Sequence, residues 1–393
     1  MKYDGFSWAS GSRPGGADLC YKESSCYLGT PPRLREQDMV LRGRIPSLDG
    51  LRGLSILFVL YGHAVATQGF PFTHSLGLAE AGVRTFFIIS GYLITFLLLK
   101  EWDSTGGISL KSFYRRRILR IFPAFYMYWA VILVFVLTGI LAIPRKAVVC
   151  AATYTINYLA NRGWYLGHLW SLAVEEQFYA LWPLTIFLLG RRRAFWVAGA
   201  VLLLVPWIRI AEFRFIPSHR LGITEEFHTI ADCIATGCLL AGIQSWLWSK
   251  ERYRRFISSG QFWLAPLMAV GAVIAGVHPS VKWLVGIPVF NISVGLCLDR
   301  WTRFPDADLI AKILNWKPLA FVGVLSYSLY LWQQPFLNPV GHHLWTRFPI
   351  NVGLAFLMAL ASYHLIERPF LALRYKSSPA VPSLKSKPVV ADP

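Results

Sequence analysis

The chain has 393 residues, of which 55% are hydrophobic, and it carries a formal net charge of +18. Its mean hydropathy of +0.44 excludes an ordinary soluble globular domain and is typical of a membrane protein with several spans. The charge does not indicate a nucleic-acid-binding protein, because the basic residues lie between apolar segments and not in one soluble region. The six cysteines have the spacing of neither a zinc site nor a disulfide framework, and we expect no metal.

The two ends of the chain are predicted to be disordered cytoplasmic tails. Residues 1–45 are rich in Gly, Ser, Pro and charged residues and lack the apolar core of a signal peptide. Residues 373–393 form the second predicted tail. Met39 offers an alternative start of translation, a hypothesis that a natural N-terminus at residue 1, measured by mass spectrometry, would exclude.

The segment between the tails, residues 46–372, is predicted to be all-α, with about ten transmembrane helices. The predicted spans are 52–70, 83–100, 119–141, 170–189, 194–211, 229–247, 262–277, 281–298, 318–338 and 350–371. With the N-terminus in the cytoplasm, seventeen Lys and Arg residues fall in inner loops and eight in outer loops, which obeys the positive-inside rule. An even number of spans returns the C-terminus to the cytoplasm.

The first span contains two ionisable residues, Arg52 and His63. They are eleven residues apart, about three helical turns, so both lie on one helix face, with His63 about 16 Å above Arg52. In a hydrocarbon core about 30 Å thick, this spacing predicts Arg52 at one mouth and His63 near the midplane. Ionisable residues inside a membrane are usually functional. The alternative is a snorkelling arginine and a histidine satisfied by a neighbouring helix.

A basic cluster, Arg116, Arg117 and Arg120, begins the third span. Spacings of three and four residues make these side chains neighbours on a helix. Guanidinium groups bind phosphate bidentately, so the cluster could hold an anionic cofactor. Charge alone favours the alternatives, which are topology-setting charge or contact with lipid headgroups.

Polar motifs occur in two further spans. In the fourth span, His168, Ser171 and Glu175 share a helix face, and Glu175 or Glu176 could orient an imidazole or pair with an arginine. The alternative places Glu176 among the headgroups. The ninth span carries a polar stripe that suits either a substrate groove or interhelical hydrogen bonds worth about 1 kcal/mol each. Its candidate residues are Tyr327, Tyr330 and Gln333, and Asp232 and Glu367 are lesser candidates elsewhere.

The order of these motifs resembles the membrane acyltransferase-3 family of bacterial O-acyltransferases. The matching pieces are LDGLRG…GH, GVRTFFIISGYLIT, FYRRRILRIFPAFY, GHLWSLAVEEQFYALWP, LSYSLYLWQQP and YHLIERPF, which together cover roughly residues 46–372. The resemblance implies ten spans, a bacterial inner-membrane location and transfer of an acyl group, usually acetyl from acetyl-CoA, to a hydroxyl. Implied acceptors are surface polysaccharides, O-antigen, glycolipids such as nodulation factors, and some macrolides.

The resemblance also implies roles for individual residues. The family's Arg/Lys-x10-His pair falls on Arg52 and His63, its arginine motif on the basic cluster, and its paired carboxylates on Glu175 and Glu176. Two positions depart from the family pattern. Gln333 stands where the ninth span often has histidine, and Arg84 stands where the second span often has an acid. The first departure leaves His63 as the main candidate base.

The expected reaction is direct transfer from acyl-CoA without a metal. Arg52 and the basic cluster hold the coenzyme, His63 acts as general base on the acceptor hydroxyl, and Glu175 assists. An acyl-His63 intermediate is an open alternative. The residues expected to contact substrate are Ser171, Glu176, Tyr327, Tyr330 and Gln333.

Two other functions stay open at this point. One is a macrolide or other secondary-metabolite O-acyltransferase. The other is a transporter or flippase with a His63–Glu175 proton relay, although the internal repeats expected of a transporter are not found. The expected partners are a carbohydrate or glycolipid acceptor and membrane lipids, and the sequence determines neither the acceptor nor the oligomeric state.

Overall fold

The computed structural model describes residues 46–220, 222–275 and 277–376. The predicted tail 1–45 and residues 377–393 lie outside this described part. Within it the chain consists of helices joined by loops and contains no strand, so the all-α prediction is confirmed. The last described helix continues to Lys376, so residues 373–376, which the predicted C-terminal tail included, are helical.

Helices of very different length form the described part of the chain. In chain order the longer ones are α1 (Pro46–Ala64), α2 (Leu78–Thr105), α3 (Leu110–Leu137), α4 (Arg145–Ala152), α5 (Leu169–Phe215), α6 (Phe227–Ser249), α7 (Glu251–Ser258), α8 (Leu264–Ile274), α9 (Ile287–Arg303), α10 (Leu309–Leu314), α11 (Lys317–Phe336), α12 (Ile350–Ser362) and α13 (Arg368–Lys376). Short helical turns lie at Ile156–Tyr158, Trp164–Gly167, Pro217–His219, Gly260–Trp263, Pro279–Val281, Lys282–Gly286, Leu344–Thr346 and Tyr363–Glu367.

Six helical segments in the described ranges are long and apolar enough to cross a membrane, and a bent pair makes a seventh. The bent pair joins α7 to Gly260–Ile274 at an angle of 71°. These segments make the chain a multi-pass membrane protein. Helices α1 and α11, with 19 and 20 residues, fall outside that set. The count of ten spans and the cytoplasmic placement of both termini therefore stay predictions.

Helix α5 breaks in its middle. It has 47 residues and breaks at Gly190, whose φ of 73° lies in the left-handed region that glycine adopts without strain. Before the break, the Tyr179 hydroxyl lies 2.5 Å from Ser90 Oγ. One turn further along both helices, the Trp182 indole donates to Thr95 Oγ1 at 2.8 Å. This half of α5 therefore runs parallel to α2.

After the break, α5 runs antiparallel to α6. Arg209 Nε donates to the carbonyl of Thr229 at the start of α6, while Phe195 lies against Gly242 near its end. Helices α2 and α6 are themselves parallel, because the start of α2 contacts the first part of α6 and the middle of α2 contacts the later part of α6. The two halves of α5 thus cross the bundle in opposite directions, as two separate spans were predicted to do.

Glycines hold α1 against α11. A Cβ atom on Gly53 would lie 2.3 Å from the carbonyl oxygen of Leu319, and one on Gly323 would lie 1.7 Å from the carbonyl oxygen of Asp49. Any side chain at these positions would meet main-chain atoms, so only glycine permits this approach. The contact fixes the register of α1, and with it the place of every polar residue on that helix.

The end of α1 differs from the predicted span 52–70. The helix runs from Pro46 to Ala64. Thr67 Oγ1 donates to the carbonyl of Ala64 at 2.7 Å, and the chain turns away through Gly69, whose φ is 82°. The residues after Ala64 therefore form a loop, although Val65, Ala66 and Phe70 are apolar.

This earlier end changes where the two ionisable residues lie along the bundle. His63 is in the last turn of α1, level with the first turn of α2, because the neighbouring Gly62 packs against Ala79. Arg52 lies beside the middle of α2, where it lines a cavity together with Ser90. The structure therefore places His63 nearer a helix end, and Arg52 nearer the middle of the bundle, than the spacing predicts.

A buried ion pair joins three helices. The side chains of Arg209 on α5 and Asp232 on α6 are fully buried and form a salt bridge. Asn291 of α9 donates to Asp232 Oδ2 at 3.2 Å. Removing one member of a buried pair leaves an unpaired charge in an apolar environment. Asp232, a lesser functional candidate in the sequence, thus has a structural role.

The α1–α11 contact predicts the effect of one methyl group. Gly323→Ala should destabilise the protein by about 1–3 kcal/mol, because the new Cβ overlaps main-chain atoms. Gly353→Ala in α12 is the matched control, since nothing lies within 4 Å of its Cβ position. Thermal unfolding in detergent would measure both variants. Equal melting temperatures for the two variants would contradict the packing described for α1.

The buried ion pair predicts a larger loss. Asp232→Ala should lower the free energy of unfolding by about 3–5 kcal/mol, because it leaves the buried Arg209 without its carboxylate partner. Glu251→Ala is the control, because the Glu251–Arg255 pair at 3.2 Å is 70% and 72% exposed and is worth at most about 1 kcal/mol. The measurement is the fraction of monodisperse protein after heating in detergent. A Glu251 variant as unstable as the Asp232 variant would refute this assignment.

Candidate active site

A cavity of about 870 Å³, its open mouth included, lies between α1, α2, α3, α5 and α11. Apolar side chains of α2 form one wall. The polar lining comprises Arg52, Ser90, Arg117, Arg120, Ser171, Glu175, Glu176, Tyr179, Ser326, Tyr327 and Tyr330. The fold thus brings motifs from the first, third, fourth and ninth predicted spans to one place.

Three guanidinium groups face this cavity. Arg52 and Arg120 lie close enough to repel each other. Neither makes a hydrogen bond or close ion pair within the described ranges, so their N–H groups are available to a ligand. Arg117 lies over the rings of Phe113 and Tyr179, at 5.6 and 5.2 Å. Adjacent guanidinium groups with available donors favour an anion such as phosphate.

The carboxylate of Glu175 faces the arginines across the cavity. It lies within electrostatic reach of Arg52, Arg117 and Arg120 and beside the Ser90 hydroxyl. The neighbouring Glu176 also lines the cavity, and its Oε1 is buried with no hydrogen-bond partner among the described residues. Glu175 therefore attracts the guanidinium groups electrostatically, while Glu176 keeps an acceptor atom without a partner among the described residues.

Glu176 lies within electrostatic reach of Tyr154, in the loop that follows α4. The Tyr154 ring stacks on Phe125 with centroids 4.3 Å apart. Burial raises the pKa of Tyr154 above its ordinary value, and the nearby Glu176 carboxylate raises it further. Tyr154 is therefore a neutral proton donor at physiological pH.

The basic cluster is not a single group in the structure. Arg116 Nη2 pairs with Glu101 Oε2 at 3.1 Å, and Arg116 is not among the residues that line the cavity. Arg117 and Arg120 are three residues apart and share the helix face toward the cavity, whereas Arg116 is rotated by about 100° from Arg117. The structure therefore brings two of the three predicted arginines to the site.

His63 lies outside the described lining of the cavity, beside the turn of α11 that follows Tyr330. Its Nδ1 is 3.1 Å from Gln333 Oε1, and its ring meets the edge of Trp164 at a centroid distance of 5.8 Å. Gln333 is fully buried on α11, the helix whose Tyr330 closes this end of the cavity. Arg52 and His63 are thus both directed toward α11, but Tyr330 separates them.

The side chains of Tyr330 and Ser171 form a closing layer between the cavity and His63, and hydrogen bonds hold this layer in place. The Tyr330 hydroxyl lies 2.5 Å from Ser171 Oγ and donates to the carbonyl of His168 at 2.8 Å. On the cavity wall below, the Tyr327 hydroxyl donates to the carbonyl of Ile121 at 2.9 Å. Both tyrosines therefore connect α11 to neighbouring helices, and their rings line the cavity.

Two further residues lie near the site. Glu367, a lesser candidate in the sequence, is buried, accepts a hydrogen bond from the Ser328 hydroxyl and lies within electrostatic reach of Arg120 and Arg52. His168 was noted only for its helix face, yet its buried ring lies close to His63. The one signal for His168 in the sequence was its position, as a polar residue, on the same helix face as Glu175.

A separate cluster could in principle bind a cation. Glu212, Glu226 and His228 present ligand atoms within 4.8 Å of one another, at the adjoining ends of α5 and α6. His228 Nε2 lies 2.5 Å from Glu212 Oε1 and 3.4 Å from Glu226 Oε2. These side-chain contacts account for the arrangement of the three residues.

Comparison with known proteins identifies relatives. The family described as an acyltransferase domain matches residues 45–366. The chain is 32% identical over 372 residues to O-acetyltransferase OatA of Staphylococcus aureus strain MRSA252, with 87% of this chain and 60% of that protein covered. It is 31% identical to a putative O-acetyltransferase of Staphylococcus aureus strain COL, with 83% of this chain and 57% of that protein covered.

The chain thus spans about three fifths of the length of the curated relatives it matches. No solved structure matches it. The family match extends from the residue before α1 to the turn that precedes α13, and it includes every helix that lines the cavity. The chain therefore belongs to the acyltransferase-3 family of membrane proteins.

Proposed function

We propose that this chain is an integral-membrane O-acyltransferase that moves an acetyl group from acetyl-CoA to a hydroxyl of a carbohydrate or glycolipid. The observation that carries the proposal is the cavity in which Arg52, Arg117 and Arg120 meet Glu175. Relatives named as O-acetyltransferases support both the acetyl group and the hydroxyl acceptor. The inner membrane of a bacterium is the proposed location.

The donor would bind with its phosphates at the arginines. Coenzyme A carries a diphosphate and a further phosphate, which match guanidinium forks in charge and geometry. The available N–H groups of Arg52 and Arg120 are the expected contacts. From there the apolar α2 wall would guide the thin pantetheine arm toward Ser171 and Tyr330, whose hydroxyls are paired at the cavity wall.

His63 would act as general base on the acceptor. When Nδ1 carries its proton, Gln333 Oε1 accepts it at 3.1 Å, which leaves the Nε2 lone pair to take a proton. Gln333 thus orients the imidazole although it is not itself a base. The acceptor oxygen then attacks the thioester carbonyl, the carbon–sulfur bond breaks, and coenzyme A leaves as the thiol.

The thioester and His63 must meet for this reaction to occur. Tyr330 lies between them, bonded to Ser171. We expect the bound acyl group to displace this hydroxyl pair, so that the Ser171 and Tyr330 hydroxyls turn to the developing oxyanion. The acceptor would approach from the opposite side, beside the partly exposed His63 and Trp164.

Proteoliposomes containing the full-length chain provide the test. Acetyl-CoA is supplied inside or outside, and both thiol release and transfer of radiolabelled acetyl to an envelope glycan extract are measured. The proposal requires glycan-stimulated thiol release with label in the glycan. Proton-coupled glycan movement with no acetyl turnover would instead establish the transporter.

His63→Ala should lower the transfer rate by about 10²–10⁴-fold, the usual contribution of a general base. The control is His74→Ala, because His74 is exposed and contributes only its main-chain carbonyl to Tyr61. Rates are measured as thiol release at equal amounts of folded protein. A His63 variant that retains the wild-type rate would remove the imidazole from the mechanism.

Arg120→Ala should raise the KM for acetyl-CoA by about 10–100-fold, since a hydrogen bond to a charged group is worth about 1.5–3 kcal/mol. The turnover number should change little, because the phosphates are remote from the reacting carbonyl. Arg116→Ala is the matched control, and its KM should stay near wild type because Arg116 pairs with Glu101. Equal effects at the two positions would argue that these arginines set topology and not donor binding.

A further inference from the structure

Ser326 is a buried hydroxyl that the proposed mechanism does not yet use. It lies on α11, lines the cavity and is only 1% exposed. Its Oγ has no hydrogen-bond partner among the described residues. A buried hydroxyl inside a helix can bond the carbonyl four residues earlier, as Ser55 does to Leu51 at 2.8 Å. Ser326 lacks this bond, so its hydroxyl is available to a ligand in the cavity.

Glu176 offers the complementary atom. Its side chain lines the same cavity, and its Oε1 is buried without a hydrogen-bond partner in the described part of the chain. Buried polar atoms in folded proteins are nearly always hydrogen-bonded, so two unsatisfied atoms on one cavity indicate that a bound molecule completes them. The cavity therefore presents one O–H donor and one acceptor oxygen.

The two side chains lie at a similar depth in the cavity. The Ser171–Tyr330 contact of the closing layer sets the register between α5 and α11. The two helices run antiparallel, because the turn before α5 meets the residues of α11 after Tyr330. Ser326 is four residues before Tyr330, and Glu176 is five residues after Ser171. At a rise of about 1.5 Å per residue, they lie about 6 and about 7.5 Å below the closing layer.

Ser326 and Glu176 also lie on different sides of the cavity. Ser326 is two helical turns before Gln333, which contacts α1, so Ser326 is on the α1 side. Glu176 is one turn before Ala180, whose carbonyl accepts a hydrogen bond from a tyrosine of α3 at 2.8 Å. Glu176 is therefore on the α3 side. A group that lies across the cavity can contact both side chains at once.

This arrangement matches a trans amide, whose C=O and N–H groups point in opposite directions. The pantetheine arm of coenzyme A contains two amides. In the amide nearer the sulfur, the carbonyl carbon is five bonds from the acyl carbon. An extended chain advances about 3.5 Å for every three bonds, so this amide lies about 6 Å below an acyl group at the closing layer. That depth is the depth of Ser326 and Glu176.

We propose that Ser326 and Glu176 bind the pantetheine amide nearer the sulfur, with the Ser326 hydroxyl donating to its carbonyl and Glu176 Oε1 accepting from its N–H. This inference rests on the proposed acyl transfer. The pair makes the site selective for thioesters of pantetheine, because simple thioesters lack the amide. It also holds the acyl carbon at the closing layer, since only five bonds separate the two carbonyl carbons.

Two analogues of acetyl-CoA test the pair on wild-type protein. In the first, a CH2 group replaces the N–H of this amide. In the second, a C=S group, which is a weaker acceptor, replaces its C=O. Each analogue should lower kcat/KM by about tenfold, because it leaves one buried polar atom of the protein without a good partner. Wild-type protein that uses both analogues as well as acetyl-CoA would overturn the inference.

Variants assign each atom of the amide to its partner. Ser326→Ala should lower kcat/KM for acetyl-CoA by about tenfold and lose its sensitivity to the C=S replacement, but keep its sensitivity to the CH2 replacement. Glu176→Leu should show the reverse pattern. Glu176→Gln keeps an acceptor oxygen and should stay within threefold of wild type. Ser55→Ala is the matched control, because Ser55 is equally buried, bonded within its helix and absent from the cavity lining.

The outcomes separate this inference from the proposed function. Variants that lose the same factor as each other with all three donors would show that the two side chains only support the fold, and would overturn their role in binding. Melting temperatures in detergent report whether each variant is folded, and the comparison of donors on wild-type protein does not depend on the variants. If wild-type protein releases no thiol from acetyl-CoA in the presence of the glycan extract, the proposed function itself is wrong.

Discussion

Buried guanidinium groups constrain this helical bundle more than any other feature. In an apolar environment each one needs a carboxylate or a polar cavity. Arg209 is paired with Asp232 at a closed junction of helices. Arg52 and Arg120 instead share Glu175 across an open cavity. The first arrangement stabilises the fold, and the second leaves N–H donors directed at a space that a ligand can enter.

The faces of the helices could be predicted from the sequence because they depend on local periodicity. The spacing of Ser171 and Glu175 placed both on one face, and both line the cavity. The same arithmetic directed Arg52 and His63 toward one neighbour, which is α11. The motifs that carry the family resemblance identified which helices contribute to the site. The all-α architecture followed from hydropathy alone.

Other features depend on contacts between distant residues, and sequence patterns do not contain them. The apolar residues after Ala64 suggested a longer helix, but the Thr67 cap ends it. Arg116 looked equivalent to its neighbours in the sequence, but Glu101, from the end of α2, pairs with it. Glu367 was only a lesser candidate in the sequence, yet the π-helical turn Tyr363–Glu367 places it inside the bundle.

The closing layer formed by Tyr330 and Ser171 gives the site two sides with different chemistry. Below it lie cationic groups and an apolar wall, which suit a long anionic donor. Above it lie a partly exposed imidazole and an indole, which suit a neutral hydroxylated acceptor. In the proposed reaction, a barrier of this kind keeps water from the thioester until an acceptor arrives.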